Sequence, residues 1–211
     1  MAPIPADVER LVARIKSAVT MRQTPGGWPG NIELALIDAV LSIRARYGVT
    51  ADTGVRGAIK RYQTGSGRTG WDDLRILGGM NSLALSDVLA NRQKTGGVPK
   101  AEVIVNCARR LSEAGVRHSA DVDRNSPEQK TAYCGTRGLG PVTWSYFLML
   151  LGTDGVKPDT LVTRFVNETV GGKPDPDAVT ALVTAAAERL EMSSSDLDHS
   201  IWRHMSAPRR S

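Results

Sequence analysis

Apolar residues recur every three to four positions along most of the chain, and this spacing is the feature that most constrains the fold. In residues 7–21 it produces one apolar face, made of Val8, Leu11, Val12, Ile15 and Val19. This is the period of an amphipathic helix, which has 3.6 residues per turn. No stretch alternates between apolar and polar residues as a half-buried strand would. The sequence therefore predicts an all-α fold.

Helix ends are predicted from capping residues, prolines and glycines. Asp7 is expected to cap the first helix, Gly48 to end the second, and Ser126 to open the seventh. The predicted helices span residues 7–21, 32–47, 52–63, 71–77, 82–92, 99–113, 126–134, 141–151, 160–169, 177–192 and 194–205.

The composition is that of a folded protein with a core. The chain has 211 residues, 41% of them hydrophobic, enough for one domain or two small ones. Its longest apolar run, residues 146–151, has six residues, whereas a membrane-spanning helix needs about 20. The N-terminus, MAPIPADVERLV, lacks the apolar region of a secretory signal. We therefore expect a cytoplasmic protein with no membrane partner.

Charge, cysteines and histidines say less about function. A net charge of +5 suits a nucleic-acid partner, but many basic proteins bind no anion. Cys107 and Cys134 lie on apolar helical faces, and two cysteines are too few for a disulfide framework or a four-cysteine metal site. The three histidines, His118, His199 and His204, are scattered, so no metal site is predicted.

The most informative segment begins with a glycine-rich turn between two predicted helices. Gly138–Gly140, of sequence Gly-Leu-Gly, forms the turn, and Pro141 opens the second helix. Glycines leave the backbone unshielded, and the N–H groups at a helix start attract phosphate. Thr143, in the first turn of that helix, can add a hydroxyl contact. A tight turn also needs glycine for structural reasons, so the turn alone does not indicate function.

The second part of the pattern is Asp159, which follows Val142 by 17 residues and precedes a predicted helix. By position alone it is an N-cap, since aspartate is among the preferred caps. Together the two parts resemble the helix-hairpin-helix DNA glycosylases of the endonuclease III-like superfamily. In that family a Leu-Pro-Gly-Val-Gly-x-Lys-Thr-Ala hairpin binds DNA phosphate, and a catalytic aspartate follows at this spacing. Residues 137–144 match the hairpin, and residues 158–164 match the Asp-Thr-x-x-x-Arg segment.

Two upstream segments match the same family in the right order. Residues 32–45 resemble its early buried helix, and residues 100–104 resemble its Lys-Ala-x-x-Ile helix start. The resemblance therefore covers roughly residues 31–169.

The resemblance implies a domain organisation as well as a function. It implies two helical subdomains that flank a DNA-binding cleft, with the helix-hairpin-helix motif at their junction. Residues 31–152 would form a helical-barrel subdomain that ends in this motif. Residues 1–30 together with 153–211 would form the second subdomain, which carries Asp159.

The sequence departs from the family pattern at three positions of the hairpin. Val142 stands where bifunctional members have a Schiff-base lysine, so the lyase reaction has no nucleophile. Trp144 replaces the usual alanine, and Arg137 stands where proline is common. No cysteine cluster follows Asp159, so no iron–sulfur cluster is expected. The only cofactor that the resemblance leaves open is a monovalent cation at the hairpin.

The resemblance assigns roles to particular residues. Asp159 is the catalytic candidate, because a carboxylate can stabilise an oxocarbenium-like sugar and orient the attacking water. The predicted DNA-binding residues are Arg137, Gly138, Leu139, Gly140, Thr143, Arg44, Lys157 and Arg164. Within that set Arg44 takes the position of a gap-filling residue, which occupies the space left by a flipped base. Trp28 and Trp144 are candidates for base stacking, although tryptophans are first of all core residues.

Further cations suit phosphate contacts but equally suit an ordinary charged surface: Arg56, Lys60, Arg61 and Arg68.

The favoured function is a monofunctional DNA glycosylase, acting as a monomer on double-stranded DNA and associated with the nucleoid. It would release a damaged, mismatched or modified base and leave an abasic site. Two alternatives remain at this point: a non-catalytic helix-hairpin-helix DNA-binding module, and a helical protein–protein adaptor. The sequence does not identify the base. Hypermodified bases, which would imply defence against phages, stay a minor option beside repair.

Overall fold

The computed structural model describes residues 4–24, 26–45 and 52–207. These residues form eleven α-helices, one short 3-10 helix and a two-stranded β-ribbon, which confirms the predicted all-α fold. The helices are α1 (Pro5–Ala18), α2 (Ile32–Leu41), α3 (Gly54–Gly65), α4 (Leu74–Gly79), α5 (Ser82–Leu89), α6 (Lys100–Glu113), α7 (Pro127–Cys134), α8 (Pro141–Leu150), α9 (Thr160–Val170), α10 (Pro176–Arg189) and α11 (Ser194–Ser206). Strands β1 (Lys94–Thr95) and β2 (Val98–Pro99) pair antiparallel, and the 3-10 turn is Ser119–Asp121. Over the described ranges, no helix has the length and apolar character needed to cross a membrane.

The chain divides into two compact units, Gly27–Gly152 and Met1–Gly26 with Thr153–Ser211. Residues 27–30, which the sequence places in the second subdomain, lie instead in the unit that contains α2 to α8. The reason is local packing within that unit. Gly27 lies directly against the backbone of Leu150, and the Trp28 backbone N–H donates to the Leu150 carbonyl.

The Gly27–Gly152 unit is built around α2, all ten residues of which are buried. A helix that is apolar on every side needs cover on every side, and here α3, α4, α6 and α8 pack around it. Two acids are buried on α2, and both are compensated. Glu33 accepts from both terminal nitrogens of Arg68 at 2.7 and 2.9 Å and from the Tyr62 hydroxyl at 2.5 Å. Asp38 accepts from the Trp28 indole, as described below.

The other unit packs α1, α9, α10 and α11 around a separate apolar core. Leu11, Ile15, Phe165 and Ile201 are completely buried in it. The Arg14 guanidinium lies over the Phe165 ring, 4.5 Å from its centroid, and thus covers the edge of this core.

Several helix ends differ from the predicted ones. Helix α1 begins at Pro5, with Asp7 inside its first turn and not at the cap. Helix α2 stops at Leu41, six residues before the predicted end, and Arg44 then adopts a φ of +49°. The predicted stop at Gly48 lies outside the described residues. Ser126 does cap α7, accepting from the Gln129 N–H at 3.3 Å, as predicted.

Candidate functional site

The hairpin, residues 135–140, connects α7 to α8 by a turn that depends on Gly138. Gly138 has a φ of +91°, in the left-handed region that glycine adopts without strain. The Leu139 N–H donates to the Thr136 carbonyl at 3.0 Å, which closes the turn. The side chain of Leu139 is half-buried and packs against the core of this unit. The sequence thus places the turn and its glycine correctly.

The β-ribbon packs directly behind the hairpin. The Thr95 hydroxyl donates to the Gly138 carbonyl at 3.1 Å, and a Cβ added to Gly138 would lie 2.8 Å from the Thr95 carbonyl oxygen. A Cβ added to Gly96, at the tip of the ribbon, would lie 2.8 Å from the Gly138 Cα. Arg137, the predicted phosphate cation, donates its Nε–H to the Gly96 carbonyl at 2.8 Å and is otherwise exposed. Backbone-to-backbone contact between two glycine turns therefore sets the hairpin's shape.

The start of α8 has backbone donors without partners. Among the described residues, nothing accepts from the N–H groups of Val142 and Thr143, while the Trp144 N–H donates to the Gly140 carbonyl at 3.0 Å. The Thr143 hydroxyl accepts from the Gly140 N–H at 3.0 Å and donates to its carbonyl at 2.8 Å. Thr143, predicted to contact phosphate through its hydroxyl, thus uses that group to cap its own helix. Free N–H groups at a helix start form an anion site.

The two tryptophans proposed for base stacking have different surroundings. Trp144 is 3% exposed, and its ring centroid lies 5.3 Å from Tyr133 and 5.7 Å from Phe147. Its ring is therefore a core element with no free face for a base, and this burial also explains how α8 accommodates a residue larger than alanine. Trp28 is half-buried, and its indole N–H donates to Asp38 Oδ2 at 2.9 Å. Base stacking by Trp28 stays a prediction.

Arg44 is exposed at the turn that follows α2, and a buried lysine holds that turn. Lys100 is 1% exposed, and its Nζ donates to the carbonyls of Leu41 at 2.9 Å and Ile43 at 2.7 Å and to Gln93 Oε1. Burial lowers the pKa of Lys100 to about 8. The sequence indicated Lys100 only as part of a motif, and the structure shows it as the cap of the helix that presents Arg44.

Structural partners within the same unit are seen for Lys60, Arg61 and Arg68. Arg68 pairs with the buried Glu33, Arg61 donates to the Leu89 carbonyl at 2.7 Å, and Lys60 pairs with Asp52 at 2.6 Å. These contacts account for their positions without a ligand.

Asp159 caps α9, as its sequence position predicts. Its Oδ1 accepts from the N–H groups of Leu161 at 2.8 Å and Val162 at 3.1 Å. Its Oδ2 has no hydrogen-bond partner in the described part of the chain. The cap therefore orients the carboxylate and leaves one oxygen for other chemistry. Further along α9, Arg164 is exposed and lies 3.9 Å from Glu168, a weak surface pair.

The Asp159 segment, residues 153–159, is held by α11 of the same unit. Asp154 accepts from the N–H groups of Ser194 at 3.2 Å and Ser195 at 2.9 Å. The Lys157 N–H donates to Asp198 Oδ1 at 3.0 Å. Sequence reasoning assigned Lys157 to DNA but did not find Asp154 or Asp198. Their partners are about 40 residues away, so no local pattern marks them.

The side chains that could ligate a metal ion are dispersed over the described residues. No group of three or more histidine, cysteine or acidic side chains is arranged there to hold a metal ion. Cys107 is buried and Cys134 half-buried, both are free thiols, and burial raises the pKa of Cys107 to about 12. A monovalent cation at the hairpin stays a prediction, and no step proposed below depends on it.

Comparisons with known proteins identify the fold and the family. A solved thermostable thymine-DNA glycosylase is similar over 97% of this chain and 88% of its own, with a TM-score of 0.57 and 16% sequence identity. At that identity the similarity establishes the fold, and it agrees with the fold that the sequence resemblance implies. No curated protein matches the sequence. Residues 7–206 match the family model described as "Domain of unknown function (DUF8548)", and the chain therefore belongs to that family.

Proposed function

We propose that the protein is a monofunctional DNA glycosylase that acts on double-stranded DNA. One observation carries the proposal. The chain has the fold of a thymine-DNA glycosylase, and its glycine hairpin leads into a helix whose Val142 and Thr143 N–H groups have no acceptor among the described residues. Further along the chain is Asp159, whose Oδ2 has no hydrogen-bond partner among those residues. The hairpin supplies what phosphate binding needs, and the aspartate supplies what glycosidic cleavage needs.

The proposed reaction needs a single carboxylate and a water molecule. As the bond between C1′ of deoxyribose and the base nitrogen lengthens, positive charge develops on the sugar. The free Oδ2 of Asp159 is the group that stabilises this charge and accepts the proton of the attacking water. The water oxygen forms the new bond to C1′, and the base departs with the electron pair of the broken bond. The departing base anion takes up a proton and Asp159 returns one to the solvent, so the products are a free base and an abasic site.

Val142 restricts the proposed reaction to base release without strand cleavage. A half-buried valine in the first turn of α8 has no amine to form an imine with the sugar, so strand cleavage by β-elimination is not expected. Borohydride treatment of a reacting mixture should trap no protein–DNA adduct. A trapped adduct would show that another amine acts as nucleophile.

A second candidate, a non-catalytic DNA-binding module, is favoured by one observation. Asp159 already has a structural role as the cap of α9, and that role is sufficient to retain an aspartate without catalysis. The two candidates share the hairpin and differ only in what Oδ2 does.

A base-release screen separates the two candidates. Duplexes with G·T mismatched, deaminated, alkylated, oxidised or glucosylated bases are incubated with wild type and with Asp159→Asn, then heated in alkali. Strand breaks that appear only after alkali, and only with wild type, are the expected result and identify the base class. Salt-sensitive duplex binding without a break on any substrate would support the binding module. If the protein does not bind duplex DNA, or binds it with no dependence on salt, the protein–protein adaptor would be favoured over both DNA-binding candidates.

A further inference from the structure

Helix α11 holds the Asp159 segment at three successive places. Its first turn binds Asp154 through two backbone N–H groups, as described above. The Ser195 hydroxyl accepts from the Gly155 N–H at 3.1 Å and lies 3.2 Å from the Gly155 carbonyl. One turn further, Asp198 accepts from the Lys157 N–H. The contacts follow the segment up to two residues before Asp159, so its path is set by hydrogen bonds to both the backbone and the side chains of α11.

Asp198 differs from the other two contacts because it is buried. Asp154 is exposed and Ser195 half-buried, whereas Asp198 is 7% exposed. A buried carboxylate that receives a single backbone hydrogen bond is a costly group unless it is neutral. A leucine would fill a similar volume at this position. Packing alone therefore does not explain why a carboxyl group is buried here.

Two charged groups act on Asp198, and both belong to the Asp159 segment. Burial, and to a lesser degree the negative charge of Asp159, raise the pKa of Asp198 to about 8, while the N–H and the charge of Lys157 oppose this. Near neutral pH Asp198 is therefore mostly a neutral acid.

We propose that Asp198 is a positioning residue for Asp159. As a neutral acid it accepts the Lys157 N–H and fixes the segment that presents the Asp159 carboxylate. It does so without adding a second negative charge beside it. This inference rests on the proposed function, because it assigns Asp198 a part in the same reaction. Misplacing a reacting group by about 1 Å costs on the order of a hundredfold in rate, so a fixed segment is of direct use to a glycosylase.

The test compares Asp198→Asn with Asp198→Leu. Asparagine keeps an oxygen that accepts the Lys157 N–H and cannot ionise, so it imitates the neutral acid. Leucine has a similar volume but no acceptor. Hydrogen exchange at the Lys157 amide is the first readout, and it needs no substrate. We expect protection within about threefold of wild type in the asparagine variant and exchange at least about tenfold faster in the leucine variant.

Single-turnover base release is the second readout, with the duplex that wild type processes in the screen above. The leucine variant should be at least about tenfold slower with DNA affinity within about twofold, whereas the asparagine variant should retain most of the wild-type rate. The wild-type rate should fall as pH rises through about 8, where Asp198 ionises, and the asparagine variant should lack this fall. A leucine variant as fast as wild type, or an asparagine variant with the same fall, would overturn the proposal.

The two readouts separate failure of this inference from failure of the proposed function. If wild type releases no base from any duplex, the glycosylase proposal fails, and amide exchange still shows whether Asp198 holds the segment. If wild type releases a base and Lys157 is equally protected in both variants, only the positioning role fails.

Discussion

The hairpin and the Asp159 segment, which lie in different units, are held in place by different physical means. The hairpin is shaped by backbone contact, with Gly138 against Thr95 and Gly96 against Gly138. The Asp159 segment is shaped by side chains that accept backbone N–H groups, those of Asp154 and Asp198. The first arrangement tolerates no added volume but contains no titrating group. The second accepts isosteric changes but depends on the protonation of its carboxyl groups.

Under the proposed function, the two regions would serve different steps. Phosphate binding needs an unshielded backbone, which glycine and close packing provide. Cleavage needs a carboxylate at a defined place and in a defined charge state, which neighbouring side chains provide. Four experiments test this difference between the two regions.

The largest effect on stability is expected from Gly138→Ala. The new Cβ would sit within 3 Å of the Thr95 backbone, at a φ of +91° that alanine rarely adopts. We expect a loss of about 2–4 kcal/mol of unfolding free energy, measured by urea denaturation, and weaker binding to DNA of every sequence. A variant as stable as wild type would show that the ribbon does not set the hairpin's shape.

A change with pH comes next and belongs to the Asp159 segment. Because the pKa of Asp198 rises from an ordinary 3.8 to about 8 on folding, the folded chain binds a proton that the unfolded chain releases. Its contribution to stability is thus complete below about pH 4 and is lost as pH rises towards 8. Asp198→Asn should remove this decline and be more stable than wild type at pH 8.5 by about 1–3 kcal/mol. Melting curves between pH 5 and 8.5 check this, and parallel curves for the two proteins would contradict it.

Asp154→Ala should have a smaller effect, with the opposite dependence on pH. Burial opposes it, but the Ser195 and Ser194 N–H groups lower the pKa of Asp154. Its contribution is therefore present above about pH 4 and lost in acid. Since the residue is exposed, we expect a loss of about 1 kcal/mol at pH 7, with Asp154→Asn losing less because it keeps an acceptor. Urea denaturation at pH 7 and pH 3.5 measures both, and equal losses in the two variants would show that the hydrogen bonds do not matter.

The smallest effect on stability is expected from Gly140→Ala, the matched control for Gly138→Ala. Gly140 has an extended backbone, and no atom lies within 4 Å of its added Cβ. Gly140 is the N-cap of α8, where glycine is preferred to alanine, so unfolding free energy should fall by less than about 1 kcal/mol. If DNA phosphate approaches this backbone, affinity should still fall several-fold in a fluorescence anisotropy titration. Unchanged affinity would show that DNA phosphate does not contact the Gly140 backbone.

The sequence was sufficient for most features that depend on neighbouring residues, although Asp7 lies inside the first turn of α1 and is not its predicted cap. The helical period predicted the helices, glycine and proline predicted the hairpin, and Asp159 was predicted as the cap of α9. Helix ends set by distant groups were not predictable. Helix α2 ends early where Lys100 binds its last carbonyls, and the lysine is 59 residues from Leu41. The burial of Trp144 and the contact between Asp198 and Lys157 are likewise tertiary, so neither leaves a periodic signal.

The most direct test of the central claim measures DNA affinity and base release side by side in wild type and Asp159→Asn. Asparagine is as good an N-cap as aspartate, so the variant should keep α9 and the hairpin intact but lack the charge that stabilises the sugar cation. We expect affinity for the processed duplex within about twofold of wild type and a single-turnover rate lower by at least about a thousandfold. A variant that binds equally well and releases the base within about tenfold of the wild-type rate would contradict it.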